Sequence, residues 1–255
     1  MKKSLLPLLF TLMVAIGCKE STTEPPPSEP PPNENSEDYF PNSDGNYYYY
    51  NVMASDSSGL IQSGTRKIYF SGDTSLLQTP YQIRIDSLQL NEDQSNLNSY
   101  FRKSITGIFY SLDTTGFTSM VPDSLLGSIS FSLEYRILFQ PLEIFQIWPV
   151  FKVQVNVIQF DIFTIDAQVI SKNMIDLTLN DSTLTKDVFT IRYTAKLTTS
   201  LTQPPSTFGA IAEIAEGIGF IRWEGDSEII NFFAGRNIYL ENTQVVEELN
   251  SYKSQ

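Results

Sequence analysis

The residues that most often perform acid–base and nucleophilic chemistry are scarce in this chain. It contains no histidine and a single cysteine, Cys18, among 255 residues. The lack of histidine excludes a Ser-His-Asp triad, a Cys-His pair and a histidine-ligated zinc site. Two serine–lysine neighbours remain, Lys103-Ser104 and Ser171-Lys172, but adjacent side chains of a strand point to opposite faces of its sheet. We therefore expect no Ser-Lys catalysis.

Acidic residues are abundant, and a pair of carboxylates can hydrolyse a glycosidic bond. Asp86, Glu134 and Asp166, however, alternate with apolar residues, which predicts that they face solvent on strands. Residues 91–96 place oxygen-bearing side chains at alternate positions but lack the glycine and the closing glutamate of a calcium loop, so a hairpin loop is favoured. The sequence predicts a non-enzymatic protein without a metal or another cofactor.

The N-terminus has the features of an export signal. Lys2 and Lys3 precede an apolar run, residues 5–16, which is too short to span a bilayer but fits a secretory signal. The segment before Cys18 resembles the lipobox of bacterial lipoproteins, in which the chain is cut before the cysteine and the cysteine is lipidated. The resemblance implies a signal peptide at residues 1–17 and a mature chain tethered to an envelope membrane through Cys18.

Residues 18–38 differ in composition from the rest of the chain. They contain two copies of a hydroxyl-Glu-Pro-Pro-Pro repeat, at residues 23–27 and 28–32. Such a segment cannot bury apolar surface and favours extended polyproline II, at about 3.1 Å per residue, so it can reach about 60 Å. Lys19 and Glu20 follow the cysteine without the aspartate of inner-membrane retention. This resembles lipoproteins of the outer membrane, on either its periplasmic or its surface face.

The charge of the chain limits its partners. The formal net charge is −12 at pH 7, which opposes binding to nucleic acid and to anionic lipid headgroups. Beyond Cys18 there is no thiol that could form a disulfide, so the stability of the fold must come from its core. We therefore expect membrane attachment through the lipid alone, and no nucleic-acid partner.

Residues 39–255 are predicted to form a single antiparallel β domain. Apolar and polar residues alternate, with turn residues between the runs, through residues 129–139, 151–157, 163–169 and 189–198. In the run that begins at Tyr81, the apolar phase changes between Ile85 and Leu88, which predicts a β-bulge or a strong bend. We expect an all-β domain of about ten or eleven strands, with at most a turn or two of helix near residues 231–234 and 242–249.

Two segments resemble a group of secreted bacterial lipoproteins of unknown function. Residues 38–50 resemble the opening YFPL-x-x-G-N-x-W-x-Y of that group, although Asn42 and Tyr48 replace its leucine and tryptophan. Residues 215–221 resemble its A-x-GVG strand, and residues 139–148 loosely match a central proline-then-tryptophan region. The group is similar to the lipoprotein-carrier superfamily. The resemblance implies a curved antiparallel sheet, wrapped as an incomplete barrel around an apolar interior, and some members carry acyl chains.

An apolar segment is the main candidate for binding. Residues 138–151 are rich in large apolar side chains and are interrupted by Pro141 and Pro149. The segment could form the mouth of an apolar pocket, a surface patch for a partner, or a lid that seals the open side of the sheet. The candidate ligand-binding residues in it are Leu142, Phe145, Trp148 and Phe151.

These features lead to one hypothesis and two alternatives. We expect a membrane-anchored, non-enzymatic module that binds an apolar ligand or an envelope protein in the concavity of its sheet. One alternative is a structural or assembly lipoprotein that offers an edge strand to a complex. Another is a glycan-binding module that uses residues 47–50, four consecutive tyrosines, as stacking platforms. An enclosed apolar cavity, a filled core with an exposed edge, or a flat aromatic row would distinguish the three.

Overall fold

A computed structural model provides the structure of this protein. It describes residues 38–90, 93–112, 128–156, 159–198, 202–235 and 238–253. The predictions for the signal peptide, for lipidation of Cys18 and for the tether before residue 38 therefore fall outside the described residues. No helix among the described residues is long and apolar enough to cross a membrane.

The described residues form thirteen strands and one helix. Their bounds in chain order are β1 (Tyr47–Ser55), β2 (Ile61–Leu76), β3 (Thr79–Leu90), β4 (Asp93–Ser104), β5 (Gly107–Ser111), β6 (Ile129–Phe131), β7 (Glu134–Phe139), β8 (Ile147–Val155), β9 (Phe160–Leu179), β10 (Ser182–Leu197), β11 (Ser206–Ala215), β12 (Gly219–Asp226), α1 (Ser227–Ala234) and β13 (Gln244–Lys253). The prediction of an all-β domain with little helix is confirmed.

All strands belong to one antiparallel sheet in the order β6-β8-β9-β10-β11-β12-β13-β1-β2-β3-β4-β5-β7. Most neighbours are consecutive in the chain, as in a meander. Tight turns join the longest of them: between β9 and β10, Asn180 and Asp181 both have positive φ angles, of 52° and 59°, as a two-residue hairpin turn requires. The pairing of β1 with β13 places both ends of the domain in the middle of the sheet.

The end strand β7 faces β8 across a seam, where β8 extends beyond the three-residue end strand β6. Trp148 Nε1 of β8 donates a hydrogen bond of 3.2 Å to the carbonyl oxygen of Arg136 in β7. The register of β5 and β7 skips Ile137, and its carbonyl oxygen accepts a hydrogen bond of 2.8 Å from the Tyr193 hydroxyl of β10. Side chains rather than a strand ladder span the seam, so the sheet is an incomplete barrel, as the sequence analysis expected.

The expected strand over residues 129–139 is in fact two strands at opposite ends of the sheet. β6 pairs with β8 and β7 pairs with β5, and the chain turns between them at Ser132 and Leu133. Leu133 is 51% exposed, although it continues the alternation of its neighbours. Because the period of two runs unbroken through the turn, the sequence pattern does not reveal it.

The β-bulge predicted between Ile85 and Leu88 is not found, because β3 pairs with β4 without a register shift from Gln82 to Leu90. The register of β2 with β3 shifts between Phe70 and Asp73, and Arg84 and Asp86 of β3 point into the core at 7% and 5% exposure. The prediction that Asp86 faces solvent is therefore wrong. Ile85 lies on the opposite face, because Arg84, Asp86, Leu88 and Leu90 all occupy the inner face of β3 and successive side chains alternate. The phase change is only apparent, since two of these inner residues are charged.

Helix α1 fills part of the concavity. It is eight residues long and ends at Gly235, whose φ of 80° allows its backbone N–H to bond the preceding carbonyls. Ile229, Ile230 and Phe233 of the helix are buried, and the Phe233 ring lies 5.0 Å from that of Tyr193. The short helix thus covers the centre of the apolar face of the sheet.

Candidate functional site

The structure separates the four candidate ligand-binding residues. Leu142, Trp148 and Phe151 are buried, with exposures of 9%, 1% and 4%, whereas Phe145 is 71% exposed. Trp148 packs on Tyr193 of β10, and Phe151 packs on α1 through Phe232. Three of the four therefore belong to the packed core, and Phe145 faces away from it.

Phe145 lies at the tip of a firmly held loop between β7 and β8. Its φ of 67° is unusual for a phenylalanine. Its backbone N–H donates to the carbonyl of Val169 at 2.9 Å, and the N–H of Val169 donates to the carbonyl of Gln146 at 3.0 Å. Ile144 and Ile147 beside it are also exposed, so the loop presents an ordered apolar tip.

Phe151 also borders an open groove of about 550 Å³ along the seam. The groove runs past Arg136 and Glu134 of β7 and Phe131 of β6. Residues 113–127, which join β5 to β6, lie outside the described residues, so we assign no ligand to this groove.

A second, more enclosed space lies in the concavity beneath β1, β2, β3, β12 and β13. Its volume is about 50 Å³, enough for a few water molecules and far below the roughly 300–1,000 Å³ of a small-molecule pocket. Its walls combine aromatic rings with charged groups, among them Phe40, Tyr50, Trp223, Arg66, Arg84 and Glu247. We call this space the interior cavity.

Four buried charged residues form one cluster at the interior cavity. Arg66 Nε lies 2.9 Å from Asp86 Oδ1, and Arg66 Nη1 lies 2.7 Å from Glu247 Oε1. Arg84 Nη2 lies 2.9 Å from Asp86 Oδ2. The formal charges of two guanidinium groups and two carboxylates cancel, which is what a buried cluster of this kind requires.

Tyrosine hydroxyls complete the charged cluster. The Tyr239 hydroxyl donates to Glu247 Oε1 at 2.6 Å, and Arg84 Nη1 donates to the Tyr110 hydroxyl at 2.8 Å. Burial alone lowers the pKa of the Arg66 guanidinium, but the adjacent Asp86 and Glu247 raise that pKa above its usual range, so the charge is retained. The Nε–H of Arg84 has no hydrogen-bond acceptor among the described residues.

The N-terminal residues of the domain close the interior cavity from one side. Tyr39 and Phe40 are 2% and 6% exposed. The Phe40 ring lies 5.3 Å from that of Phe101, 5.8 Å from that of Phe70 and 6.4 Å from that of Phe220. Phe40 and Pro41 line the cavity, so residues 39–41 act as its cover, and we call them the plug.

Polar contacts hold the plug at its two ends. Lys103 Nζ donates to Asp38 Oδ1 at 2.6 Å and to the carbonyl of Phe40 at 3.1 Å. The Tyr48 hydroxyl donates to the carbonyl of Pro41 at 2.7 Å, and the N–H of Gly217 donates to the carbonyl of Asp38 at 2.7 Å. The plug follows directly on the predicted tether, so the attachment point and the cavity cover are one stretch of chain.

The glycine motif of residues 215–221 lies beside the plug. Gly219 has a φ of 104°, and a Cβ on it would lie 3.7 Å from Pro41 Cδ, which is ordinary contact. The positive φ, rather than a lack of space, requires glycine at this position. The backbone conformations of Gly217 and Gly219 thus explain the motif without a ligand at that position.

The four consecutive tyrosines divide between the two faces of β1, as alternation predicts. Tyr48 and Tyr50 are buried, whereas Tyr47 and Tyr49 lie on the outer face. The rings of Tyr47 and Tyr49 meet edge to face at 79°, and Lys67 Nζ sits 5.3 Å from the Tyr49 ring centroid. This arrangement is not a flat stacking platform.

Burial gives the inner tyrosines a pH signature. Burial is the largest cause that raises the pKa of six hydroxyls above the usual 10.0, namely those of Tyr48, Tyr50, Tyr110, Tyr135, Tyr193 and Tyr239. Because the folded-state pKa is raised, their contribution to stability is complete below pH 10.0 and is lost as the pH rises. Burial and then the bond to Glu134 raise the pKa of Tyr81 to about 12.

In an alkaline titration followed by tyrosine absorbance, we therefore expect these six hydroxyls to ionise only together with unfolding, which circular dichroism reports in parallel. Ionisation of all thirteen tyrosines in the folded state would contradict the packing described above.

The described residues contain no group of three or more histidine, cysteine or acidic residues that could hold a metal ion.

No protein-family model and no curated protein match the chain. Two crystal structures are similar in fold. One, a candidate lipoprotein from Parabacteroides distasonis, is 12% identical with a TM-score of 0.41, over 86% of this chain and 100% of that chain. The other, a candidate exported protein with a YmcC-like fold from Bacteroides fragilis, is 10% identical with a TM-score of 0.45, over 85% and 99%.

Proposed function

We propose that this protein is a non-enzymatic lipoprotein of the bacterial envelope, anchored through lipidated Cys18, with the outer membrane as its expected location. Its β domain binds an apolar ligand in the concavity of the sheet. The basic and apolar N-terminus, the lone cysteine and the proline-rich segment after it support the anchor. The absence of histidine supports a role without catalysis, and the net charge of −12 disfavours nucleic acid as a partner.

One observation carries the ligand-binding role: the plug, which lies outside the strands of the sheet, covers the interior cavity. The plug buries one phenylalanine among the rings of Phe70, Phe101 and Phe220. It comes from the end of the domain that is attached to the tether, and no strand pairs with it. In the closed state the cavity has room for only a few water molecules, and the space that Phe40 vacates would receive an apolar chain.

A direct test uses the full-length lipidated protein in phosphatidylcholine vesicles and bromoundecane as the probe. Bromine quenches tryptophan on contact, and Trp223 lines the interior cavity. We expect saturable quenching of tryptophan emission in the wild-type protein and loss of most of it in Trp223→Phe. A folded wild-type protein that shows no saturable quenching would contradict the proposed function.

Loosening the plug should speed uptake of the probe. Lys103 is partly exposed, and its Nζ contacts Asp38 and the carbonyl of Phe40. An exposed ion pair contributes at most about 1 kcal/mol, so Lys103→Met should raise the rate of bromoundecane uptake about fivefold, with little change in stability. Stopped-flow quenching measures this rate, and Lys152→Met, which removes the exposed pair of Lys152 with Asp161, is the matched control. An equal rate in the wild type and Lys103→Met would argue against the plug as the gate.

A protein partner at the β7–β8 loop is the second candidate. Ile144, Phe145 and Ile147 form an exposed apolar tip, and Phe145 is fixed by backbone hydrogen bonds to β9, so little entropy would be lost on docking. A photoreactive residue at position 145 should crosslink one envelope protein in cells. The same residue at Met174, which is equally exposed at 72%, should not; identical crosslinks at both positions would dismiss the loop as a specific surface.

A further inference from the structure

We infer that the interior cavity recognises an uncharged carbonyl group, such as that of an ester or amide, at the end of an apolar chain, and that the Nε–H of Arg84 is the donor that binds it. This inference rests on the proposed function, because it names the class of ligand that the concavity accepts.

One N–H of the buried Arg84 guanidinium lacks an acceptor among the described residues. The residue is only 7% exposed and lines the interior cavity. Its Nη1 donates to the Tyr110 hydroxyl and its Nη2 contacts Asp86, whereas its Nε–H has no acceptor among the described residues. Buried donors are almost always hydrogen-bonded, so a guanidinium with one N–H unsatisfied beside a cavity indicates a position for an acceptor atom.

The charged cluster has no net formal charge. Arg66 and Arg84 are matched by Asp86 and Glu247, so the cluster is formally neutral before any ligand enters. An ionised carboxylate or phosphate would add an uncompensated charge to a buried site, which is strongly unfavourable. A carbonyl oxygen accepts a hydrogen bond from Arg84 without adding a charge.

The interior cavity is small. A volume of about 50 Å³ suits a small polar end group. Beside the charged groups, the rings of Tyr48, Phe70 and Trp223 line this space. The plug, which carries Phe40, stands on the cavity side from which a chain would extend. The site therefore favours a ligand whose polar end lies inside the cavity and whose apolar chain points towards the plug.

The test compares three probes that share one chain: bromoundecane, bromoundecanoic acid in its ionised form, and the methyl ester of that acid. Each is titrated into the full-length protein in phosphatidylcholine vesicles, and tryptophan quenching reports binding. A hydrogen bond from a charged donor should make the ester bind about tenfold more tightly than the alkane. The carboxylate should bind at least as weakly as the alkane.

A charge-balanced variant assigns the preference to Arg84. Arg84→Met with Asp86→Asn removes one charge of each sign and leaves an amide oxygen for Arg66 Nε. In this variant the ester and the alkane should bind within about twofold of each other. The matched control is Arg102→Met with Glu134→Gln, which removes a pair on the outer face and should keep the tenfold preference.

The outcomes separate the two proposals. If no probe quenches the wild-type protein, the proposed function fails. If all three bind equally well, or the carboxylate binds best, the domain takes apolar chains but the inference about the carbonyl is wrong. The comparison on the wild-type protein decides this even where the double variant does not fold.

Discussion

Replacement of Arg66 by methionine is expected to lower the free energy of unfolding by about 3–5 kcal/mol, because it leaves two buried carboxylates without their shared cation. Arg66 is 4% exposed and contacts both Asp86 and Glu247 at less than 3 Å. Glu247 is 1% exposed, so its carboxylate would lose its guanidinium partner in a site shielded from bulk solvent. Urea denaturation followed by circular dichroism measures the change.

The control for Arg66→Met is Arg222→Met. Arg222 also contacts two carboxylates, those of Glu224 and Glu248, but all three side chains are partly exposed. Exposed pairs contribute about 0–1 kcal/mol, so this variant should be close to the wild type. A loss below about 1 kcal/mol for Arg66→Met as well would mean that water penetrates the cluster, against the buried arrangement described here.

Replacement of Phe40 by alanine is expected to change stability and binding in opposite directions. Loss of a buried phenylalanine costs about 3–5 kcal/mol, since the ring contacts Phe70, Phe101 and Phe220. The same change weakens the plug and enlarges the cavity, so bromoundecane should bind about tenfold more tightly, as expected when the closed state competes with the ligand. Denaturation and tryptophan quenching measure the two effects on one preparation.

Phe145→Ala separates this effect from a general loss of aromatic surface. Phe145 is 71% exposed, and exposed substitutions usually change stability by less than about 0.5 kcal/mol. We expect unchanged stability and unchanged bromoundecane affinity. If Phe40→Ala loses stability without binding the probe more tightly, the plug is a structural element and not a gate.

The class of the fold could be predicted from alternation, since long runs such as β9 and β10 keep one face buried over many residues. The split between β6 and β7 could not, because the polar–apolar period continues through the turn at Ser132. Nor could the hydrogen bonds that Trp148 and Tyr193 donate to carbonyls of β7, because bonds from a side chain to a distant backbone carbonyl leave no local pattern.

The charged cluster did leave a signal that the sequence analysis missed. Arg66 is in phase with Ile68 and Phe70, and Glu247 is in phase with Val245 and Leu249, so each charged residue occupies an apolar face of its strand. What the sequence could not supply is the partner, because Arg66 and Glu247 are 181 positions apart and meet only through the pairing of β1 with both β2 and β13.

The position of the plug could not be predicted from the sequence. Tyr39 and Phe40 mark the start of the domain in the sequence, and the motif they belong to resembles that of other lipoproteins. Their position inside the concavity follows from tertiary packing against Phe101 and Phe189. The ligand-binding residues were predicted on the segment 138–151 because its density of apolar side chains is greater.

The measurement that tests the account most directly is hydrogen–deuterium exchange at the plug, with the full-length protein in vesicles, with and without the methyl ester of bromoundecanoic acid. The amides of Phe40 and Gly217 are protected through Asp38. If a ligand displaces the plug, both should exchange about tenfold faster at saturation, while fully buried Val245 in β13 should not change. Unchanged or slower exchange at Phe40 and Gly217, with the ester bound, would contradict the account.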